Sequence, residues 1–532
     1  MKLPWNEATE KEIGAVWLDA AIAPAAELGR RARKRERPFI SGDELHARAA
    51  IGAVVRAAQA LERETVEGVR REIAGAPDPS ALLERASAGD ALADTDFFEL
   101  QRFVDGVRAV RHLLGNVTPA LVEVPEALED LETALAPGRS PSRSFFLADR
   151  FDPELARARG EAALRRETLD AARSALAARV ARVLGLDYIR DGEFIVMRDQ
   201  MTGAIPGGLR VIREAPTYYL CELALDDGAL EAMAASDAAD SVVAVCEERV
   251  RAQLALAIAQ AATRVSAACH AIGSLDSFLA RVRYAQKYDA SEPAIVARGA
   301  ALEFEAARFL PLEERLAETG QAYEPISLTL EHTAVVTGPN MGGKTAALRT
   351  CGFLAACVSR GLPVPALRAS LPLFDSIDWI GIGRASEETA LLSAFGSELV
   401  EVRELLERPV APALVLIDEF ARTTSPREGR ALLIALLQTL RAREAHAFAA
   451  THLANIAEAA NAAHYAIEGL RALEPRTGPP LPLAGALALI AGAMNHRLSP
   501  AARESAANSD AILLADMLGL ERDFILRAQR SL

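Results

Sequence analysis

Apolar positions over the first 300 residues recur mostly at helical spacing. Between Phe151 and Leu184 they fall at Leu169, Ala172, Leu176, Val180 and Val183, along one helix face. A second pattern, from about Ser241 to Tyr284, runs through Val250, Leu254, Ala261, Val265, Ile272, Leu275 and Val282, with no proline and only Gly273 inside it. Both exceed ordinary globular helices, which predicts paired lever-like helices or a coiled coil. Between them Glu193–Met197 and Leu209–Ile212 are short and β-rich. Gly203, Pro206, Gly207 and Gly208 punctuate them and Tyr218-Tyr-Leu220 follows, so a small β-containing insertion is predicted. Beyond about Ala300 the pattern changes. Ala334–Thr337, Leu414–Ile417 and His446–Ala450 are short apolar runs alternating with helical stretches, as buried parallel strands do. The last 24 residues predict two short amphipathic helices, Asp510–Leu518 and Glu521–Arg530, broken at Gly519.

Composition narrows the class. With 51% hydrophobic and 25% charged residues, the 532-residue chain can bury a large core. Alanine makes up about a fifth of it and favours helix. The net charge of −14 argues against a generally basic nucleic-acid coat, while leaving room for a local basic groove. Five scattered cysteines indicate neither a disulfide framework nor a zinc knuckle. Met1–Gly14 lacks the apolar run of a signal peptide, and Leu481–Met494 is too short to span a bilayer, so a cytoplasmic protein without membrane association is expected. Cations are nearly all arginine. The only lysines are Lys2, Lys11, Lys34, Lys287 and Lys344, which draws attention to a lysine in a motif.

Residues 338–345 read Gly-Pro-Asn-Met-Gly-Gly-Lys-Thr, a fit to G-x-x-x-x-G-K-[ST] between a predicted strand and a predicted helix. Glycines 338, 342 and 343 let backbone N–H groups curl round a phosphate at a helix N-terminus. Lys344 is expected to reach the β/γ-phosphates and the Thr345 hydroxyl to bind Mg²⁺. About 75 residues on, the strand Leu414–Ile417 ends in Asp418-Glu419. Asp418 suits the Mg²⁺ shell, and Glu419 suits a general base that polarises the attacking water. A third strand ends at Ala450-Thr-His452, where the histidine can sit against the γ-phosphate. ATP with Mg²⁺ is therefore the expected ligand pair.

Together these motifs resemble the MutS family of DNA mismatch-repair ATPases. Thr337–Thr345 matches the family loop T-G-P-N-M-G-G-K-S/T throughout. Asp418-Glu-Phe-Ala-Arg-Thr-Thr-Ser425, followed by Glu428-Gly429, is similar to its D-E-x-G-R-G-T-S segment, with Ala421 and Thr423 in place of two glycines and Glu428 in place of Asp. Ser393-Ala-Phe-Gly-Ser-Glu398 resembles the S-T-F-x-x-E segment by which a partner subunit completes the ATP site, with Ala394 in place of Thr. The resemblance extends to a lever opening at Phe151–Leu155, a clamp at the β-insertion, a lever return at Gly273–Leu279 and a C-terminal helix-turn-helix at Ser509–Arg530 that serves dimerisation. Tyr323 falls where an aromatic stacks on adenine, with a core tyrosine as the competing reading.

The resemblance implies a multidomain fold: an all-α lever/core region with a small clamp insertion, then an α/β P-loop ATPase domain of ABC type and a C-terminal helix-turn-helix. The expected boundaries are 1–150 for a helical core, 151–295 for levers with a clamp at about 186–240, 300–508 for the ATPase and 509–532 for the dimerising helices. The family's mismatch-reading N-terminal domains and a trailing nuclease domain are expected to be missing. Phe97-Phe-Glu99 spells the family's Phe-x-Glu wedge, but it lies in a helical pattern and reads as core packing. Arg30–Arg37 carries six cations and one acid, a candidate phosphate contact that reads first as a solvated helix face. Two functions follow. One is an ATP-driven DNA clamp without mismatch reading, a homodimer or a heterodimer with a related subunit, whose arginines 198, 210 and 213 would meet phosphates. The alternative is a MutS-like ATPase that remodels a protein partner such as a cobalamin-dependent aminomutase. A pseudo-ATPase scaffold is disfavoured by the presence of Lys344, Thr345, Asp418 and Glu419.

Overall fold

The computed structural model describes residues 5–115, 122–140, 144–189, 192–201, 203–339, 342–381, 394–470, 494–501, 512, 515–516 and 518–531. Two compact units emerge: Met1–Ala74, His112–Val124 and His270–Leu532 in one, Gly75–Arg111 and Pro125–Cys269 in the other.

The second unit is helical apart from one small sheet. The helix Pro153–Leu184 starts where the pattern predicts. Asp152 caps it by accepting from Glu154 N, Pro153 occupies the first turn, and Gly185 ends it in the left-handed region. The helix Asp227–Tyr288 begins well before the expected Ser241. Its first turns bury only small residues, Ala229, Ser236 and Ala239, which a pattern of large apolar residues does not mark, and alanine propensity favours helix there. The two helices run antiparallel: Arg159 pairs with Glu247, Arg166 with Asp240 and Arg179 with Asp226. Strands β1 (Phe194–Met197), β2 (Leu209–Glu214) and β3 (Tyr218–Leu223) form an antiparallel sheet of order β1-β3-β2. Val196, Leu209 and Cys221 from its inner face pack on Leu176, Val180 and Leu184. Gly208, at φ +93°, lies so close to Leu176 that a Cβ there would sit 2.5 Å from its Cδ1. Phe97 is 0% exposed on the helix Asp94–Leu113, against Phe145, while Glu99 is exposed, so this segment packs as core.

The first unit holds β4 (Ala294–Val296), β5 (Leu302–Ala307), β6 (Ile326–Leu330), β7 (Thr333–Thr337), β8 (Arg368–Pro372), β9 (Ser376–Gly381), β10 (Ala413–Asp418), β11 (His446–Ala450), β12 (Ala463–Leu470) and β13 (Met494–Pro500). Six of them form a sheet of order β13-β12-β7-β11-β10-β9, parallel except for the β12–β13 pair. The others form a mixed sheet, β4-β8-β5-β6. The three expected strands are β7, β10 and β11, side by side and parallel at the centre of the large sheet. Their side chains alternate strictly between two cores. Ala334, Val336, Leu414, Leu416, Phe448 and Ala450 face the helix Lys344–Ser359. Val335, Val415, Ile417, Ala447 and Ala449 face the helix Pro426–Ala442. Burial on both faces is why these strands read as unbroken apolar runs.

At the C-terminus, Arg522–Arg530 is helical and Gly519 has φ +83°. Most of the other expected helix, Asp510–Leu518, lies outside the described residues. None of the five cysteines, all of them buried, forms a disulfide. Among the described residues no helix is long and apolar enough to cross a membrane.

Candidate functional site

Strands β7, β10 and β11 are in register, so their carboxyl ends share one edge: Asp418 pairs with Ala450, and Ala450 with Val336. In an open parallel sheet that edge is where ligands bind. The glycine-rich loop leaves β7 here. Gly338 has φ +148° and runs against Ile467, and Gly343 has φ +108° and caps the helix Lys344–Ser359. Neither position suits a side chain, and both turn the chain so that the helix N-terminus opens on the loop.

Lys344 is only 6% exposed. Its Nζ donates to Gly338 O (2.9 Å) and Pro339 O (3.1 Å) and lies 3.9 Å from Glu419 Oε1. Burial lowers its pKa below the usual lysine value, opposed by the charges of Glu419 and Asp418. Thr345 Oγ1 donates to Asp418 Oδ2 (3.0 Å) and Oδ1 (3.2 Å). Burial raises the Asp418 pKa, opposed by the Thr345 bond. A hydroxyl and a carboxylate oxygen in contact at a helix N-terminus form the hard-oxygen pair that suits Mg²⁺, which otherwise keeps water and phosphate ligands.

Glu419 follows in the left-handed region at φ +52°, its N–H bonded to Ala450 O and its carboxylate held by Arg422 at 2.9 Å. Ala421, also left-handed at φ +61°, donates its N–H to Glu398 Oε2 at 2.7 Å. Glu398 is 2% exposed, its Oε1 has no partner, and burial raises its pKa.

Thus Lys344, Thr345, Asp418 and Glu419 converge, with Gly338, Pro339, Gly342 and Gly343 around them. His452 is exposed just past the end of β11, where Thr451 N bonds Val336 O. Tyr323 is half-buried against the apolar core, its hydroxyl 3.1 Å from Thr350 Oγ1 on the helix that follows the loop, and burial raises its pKa. Asn340, Met341 and Ser393 lie outside the described residues.

Three residues at the site escaped sequence reasoning. His464 Nε2 is 2.9 Å from Thr337 Oγ1, and His496 Nδ1 is 2.8 Å from Gly342 O. No motif marks either, since both arrive through the β12–β13 pairing. Glu398 had one signal: it ends the Ser393–Glu398 segment.

Comparison with known proteins accords with this geometry. Residues 334–472 match the family model MutS domain V. "Endonuclease MutS2" of Pelotomaculum thermopropionicum is 28% identical over 427 residues, covering 74% of this chain and 51% of that protein. The protein of the same name from Thermomicrobium roseum is 30% identical over 397 residues, 69% of this chain and 48% of that one. The Anaeromyxobacter "Endonuclease MutS2" is 28% identical over 479 residues, 84% and 57%. The chain therefore spans about half the length of these relatives.

Proposed function

The chain belongs to the MutS family, and from that premise we propose that it is an ATPase whose turnover drives a conformational change. The observation that carries this reading is the contact of Thr345 with Asp418 beside Lys344 and Glu419. In this reading residues 338–343 (Gly-Pro-Asn-Met-Gly-Gly) wrap the β/γ-phosphates and Lys344 neutralises their charge. Thr345 and Asp418 would hold Mg²⁺, which when bound offsets phosphate charge. Glu419 orients the attacking water and takes its proton, held in place by Arg422. His452 contacts the γ-phosphate from the end of β11, Tyr323 lies on the adenine side, and Ser393 of a second copy or a related subunit completes the site. This assigns 300–508 to a P-loop ATPase, 151–295 to levers with a clamp at about 186–240, 1–150 to a helical core and 509–532 to dimerisation.

The lever-like pairing of two long helices with a small sheet supports a DNA clamp as the target-binding part. A protein target is the second reading, and one observation favours it: Arg198 stacks on Tyr219 and pairs with Glu214, and Arg210 pairs with Glu222, which neutralises two of the three arginines expected to meet phosphates. Steady-state ATP hydrolysis with and without Mg²⁺, with sedimentation of the dimer, tests the ATPase. Magnesium-independent turnover, or none, overturns it. Fluorescence anisotropy on matched, mismatched and four-way-junction DNA at two salt concentrations separates the targets: salt-dependent, mismatch-indifferent binding supports the clamp, and no binding at low salt supports the protein target.

A further inference from the structure

The basic run Arg30–Arg37 forms one wall of a cavity. The helix Glu27–Arg35 and the stretch Pro38-Phe39 enclose about 650 Å³ together with Arg281 and Arg360. That volume suits a small ligand. Six cations line it, Arg30, Arg33, Lys34, Arg37, Arg281 and Arg360, against the two carboxylates of Asp19 and Glu36. The carboxylates are already shared. Asp19 accepts from Arg33 and from both nitrogens of an Arg360 fork at 2.9 Å. Glu36 takes Arg281, Ser277 and, at 3.6 Å, Arg33. Three guanidinium groups thus divide two carboxylates. At the rim, Arg30 pairs with Glu27 and Arg37 reaches Asp43 only at 3.4 Å. Arg360 is 8% exposed, and its Nη1 and the Nε of Arg281 are buried without an acceptor. Burial holds Arg281 below the usual arginine value despite Glu36, with Arg33 adding repulsion.

Buried guanidinium N–H groups without acceptors are costly to a fold unless something completes them. Arginine forks match phosphate oxygens two at a time, and a cluster of them favours more than one phosphate. Pro24, Pro38 and Phe39 add an apolar side on which a flat or aliphatic group could rest. The concavity suits a small molecule better than a duplex backbone, which needs an open positive surface. We propose that this cavity binds a small ligand carrying a diphosphate group, at a site separate from the glycine-rich loop. The site adjoins the far end of the helix that begins at that loop. Phe39 N bonds Ser359 O at 2.7 Å, Ser359 Oγ returns to Phe39 O, and Arg360 caps the helix. At about 1.5 Å per residue the helix Lys344–Ser359 sets the two sites roughly 24 Å apart, so each can be filled while the other is mutated.

The test is calorimetric titration of the full chain with inorganic pyrophosphate at low salt, repeated with ADP and with a short DNA duplex. Lys344→Ala removes the principal phosphate contact of the loop. Lys34→Ala with Arg37→Ala removes two rim cations that hold no core contact, so folding is kept. Pyrophosphate binding that survives in Lys344→Ala and weakens at least tenfold in the rim double variant is the expected result. Tighter binding of ADP than of pyrophosphate to the Lys344→Ala chain would assign the apolar side to a nucleoside within the same proposal. Loss of all pyrophosphate binding in Lys344→Ala, or unchanged affinity in the rim variant, overturns it. Duplex binding that falls in the rim variant while pyrophosphate does not bind at all also overturns it, and makes the wall a nucleic-acid surface.

Discussion

Lys344→Met should uncouple nucleotide binding from stability. Opposite a phosphate, the ammonium would make about two charge-assisted hydrogen bonds, each contributing about 1.5–3 kcal/mol. Losing even about 3 kcal/mol raises the Kd for ATP roughly 150-fold. At an ATP concentration of about 100 Kd, binding stabilises the wild-type fold by about 2.7 kcal/mol, and at the same concentration the variant retains only about 0.3 kcal/mol. The nucleotide-free chain should behave otherwise. Lys344 is 6% exposed and burial depresses its pKa, so the fold sustains a partly desolvated charge. Methionine fills similar volume without that charge, and Glu419 still has Arg422 at 2.9 Å. We expect nucleotide-free stability within about 1 kcal/mol of wild type, as for replacement of a buried ion by a well-packed apolar group. Thermal unfolding with and without Mg-ATP measures both quantities. A variant with the full ATP-induced shift, or one that loses several kcal/mol before nucleotide is added, would refute the reasoning.

Glu419→Gln should keep ATP affinity and slow single-turnover hydrolysis about 10²–10⁴-fold, because the phosphate cradle stays while the proton acceptor goes; equal loss of binding would remove Glu419 from that role. Ala421→Gly should stabilise the chain by up to about 1 kcal/mol in urea unfolding, since left-handed backbone costs alanine about 1–2 kcal/mol and the lost methyl and added chain freedom return part of it; a destabilised glycine variant would contradict this. Glu398→Gln should gain stability relative to wild type as pH rises from 5 to 8. The folded-state pKa of Glu398 is raised by burial, so the wild type loses stability as pH climbs from the unfolded value through the folded one, whereas glutamine does not titrate. Glu398→Ala should cost about 1–3 kcal/mol by leaving Ala421 N unpaired; a pH-independent gap between wild type and glutamine would refute the assignment.

What could be read from the sequence was local or carried by a motif. Strands β7, β10 and β11 are continuous apolar runs because both faces are covered, and the loop and acidic motifs fix the Thr345–Asp418 contact because a shared sheet edge brings their strand ends together. Other features carried a weaker signal. Leu302-Glu-Phe-Glu305 and Ile326-Ser-Leu-Thr-Leu330 alternate as half-buried strands should, but each is short and only their pairing makes them β5 and β6. The turns from Asp227 to Asp240 bury a face of small residues, Ala229, Ser236 and Ala239, so a periodicity of large apolar residues misses them. His464 and His496 reach the loop from 127 and 154 residues away through strand pairing, which no local pattern encodes.

The turn after β10 explains why two non-glycine residues tolerate left-handed backbone. Such a conformation costs of order 1–3 kcal/mol and persists only where the surroundings over-determine it. Here two elements hold it: β11 accepts Glu419 N at Ala450 O, and the helix Ala394–Glu407 accepts Ala421 N at Glu398. The second restraint differs in kind. Its acceptor is a side chain on a helix outside the sheet, buried with its other oxygen unpaired. A helix displacement of about 1 Å would stretch that 2.7 Å bond beyond hydrogen-bonding range. Ala421 would then keep only its burial and the bond from Thr424 N to its carbonyl, and the turn carrying Glu419 would be freer to relax. The position of Glu419 against Lys344 is thereby tied to the helix Ala394–Glu407, whose first turns carry the rest of the Ser393–Glu398 segment.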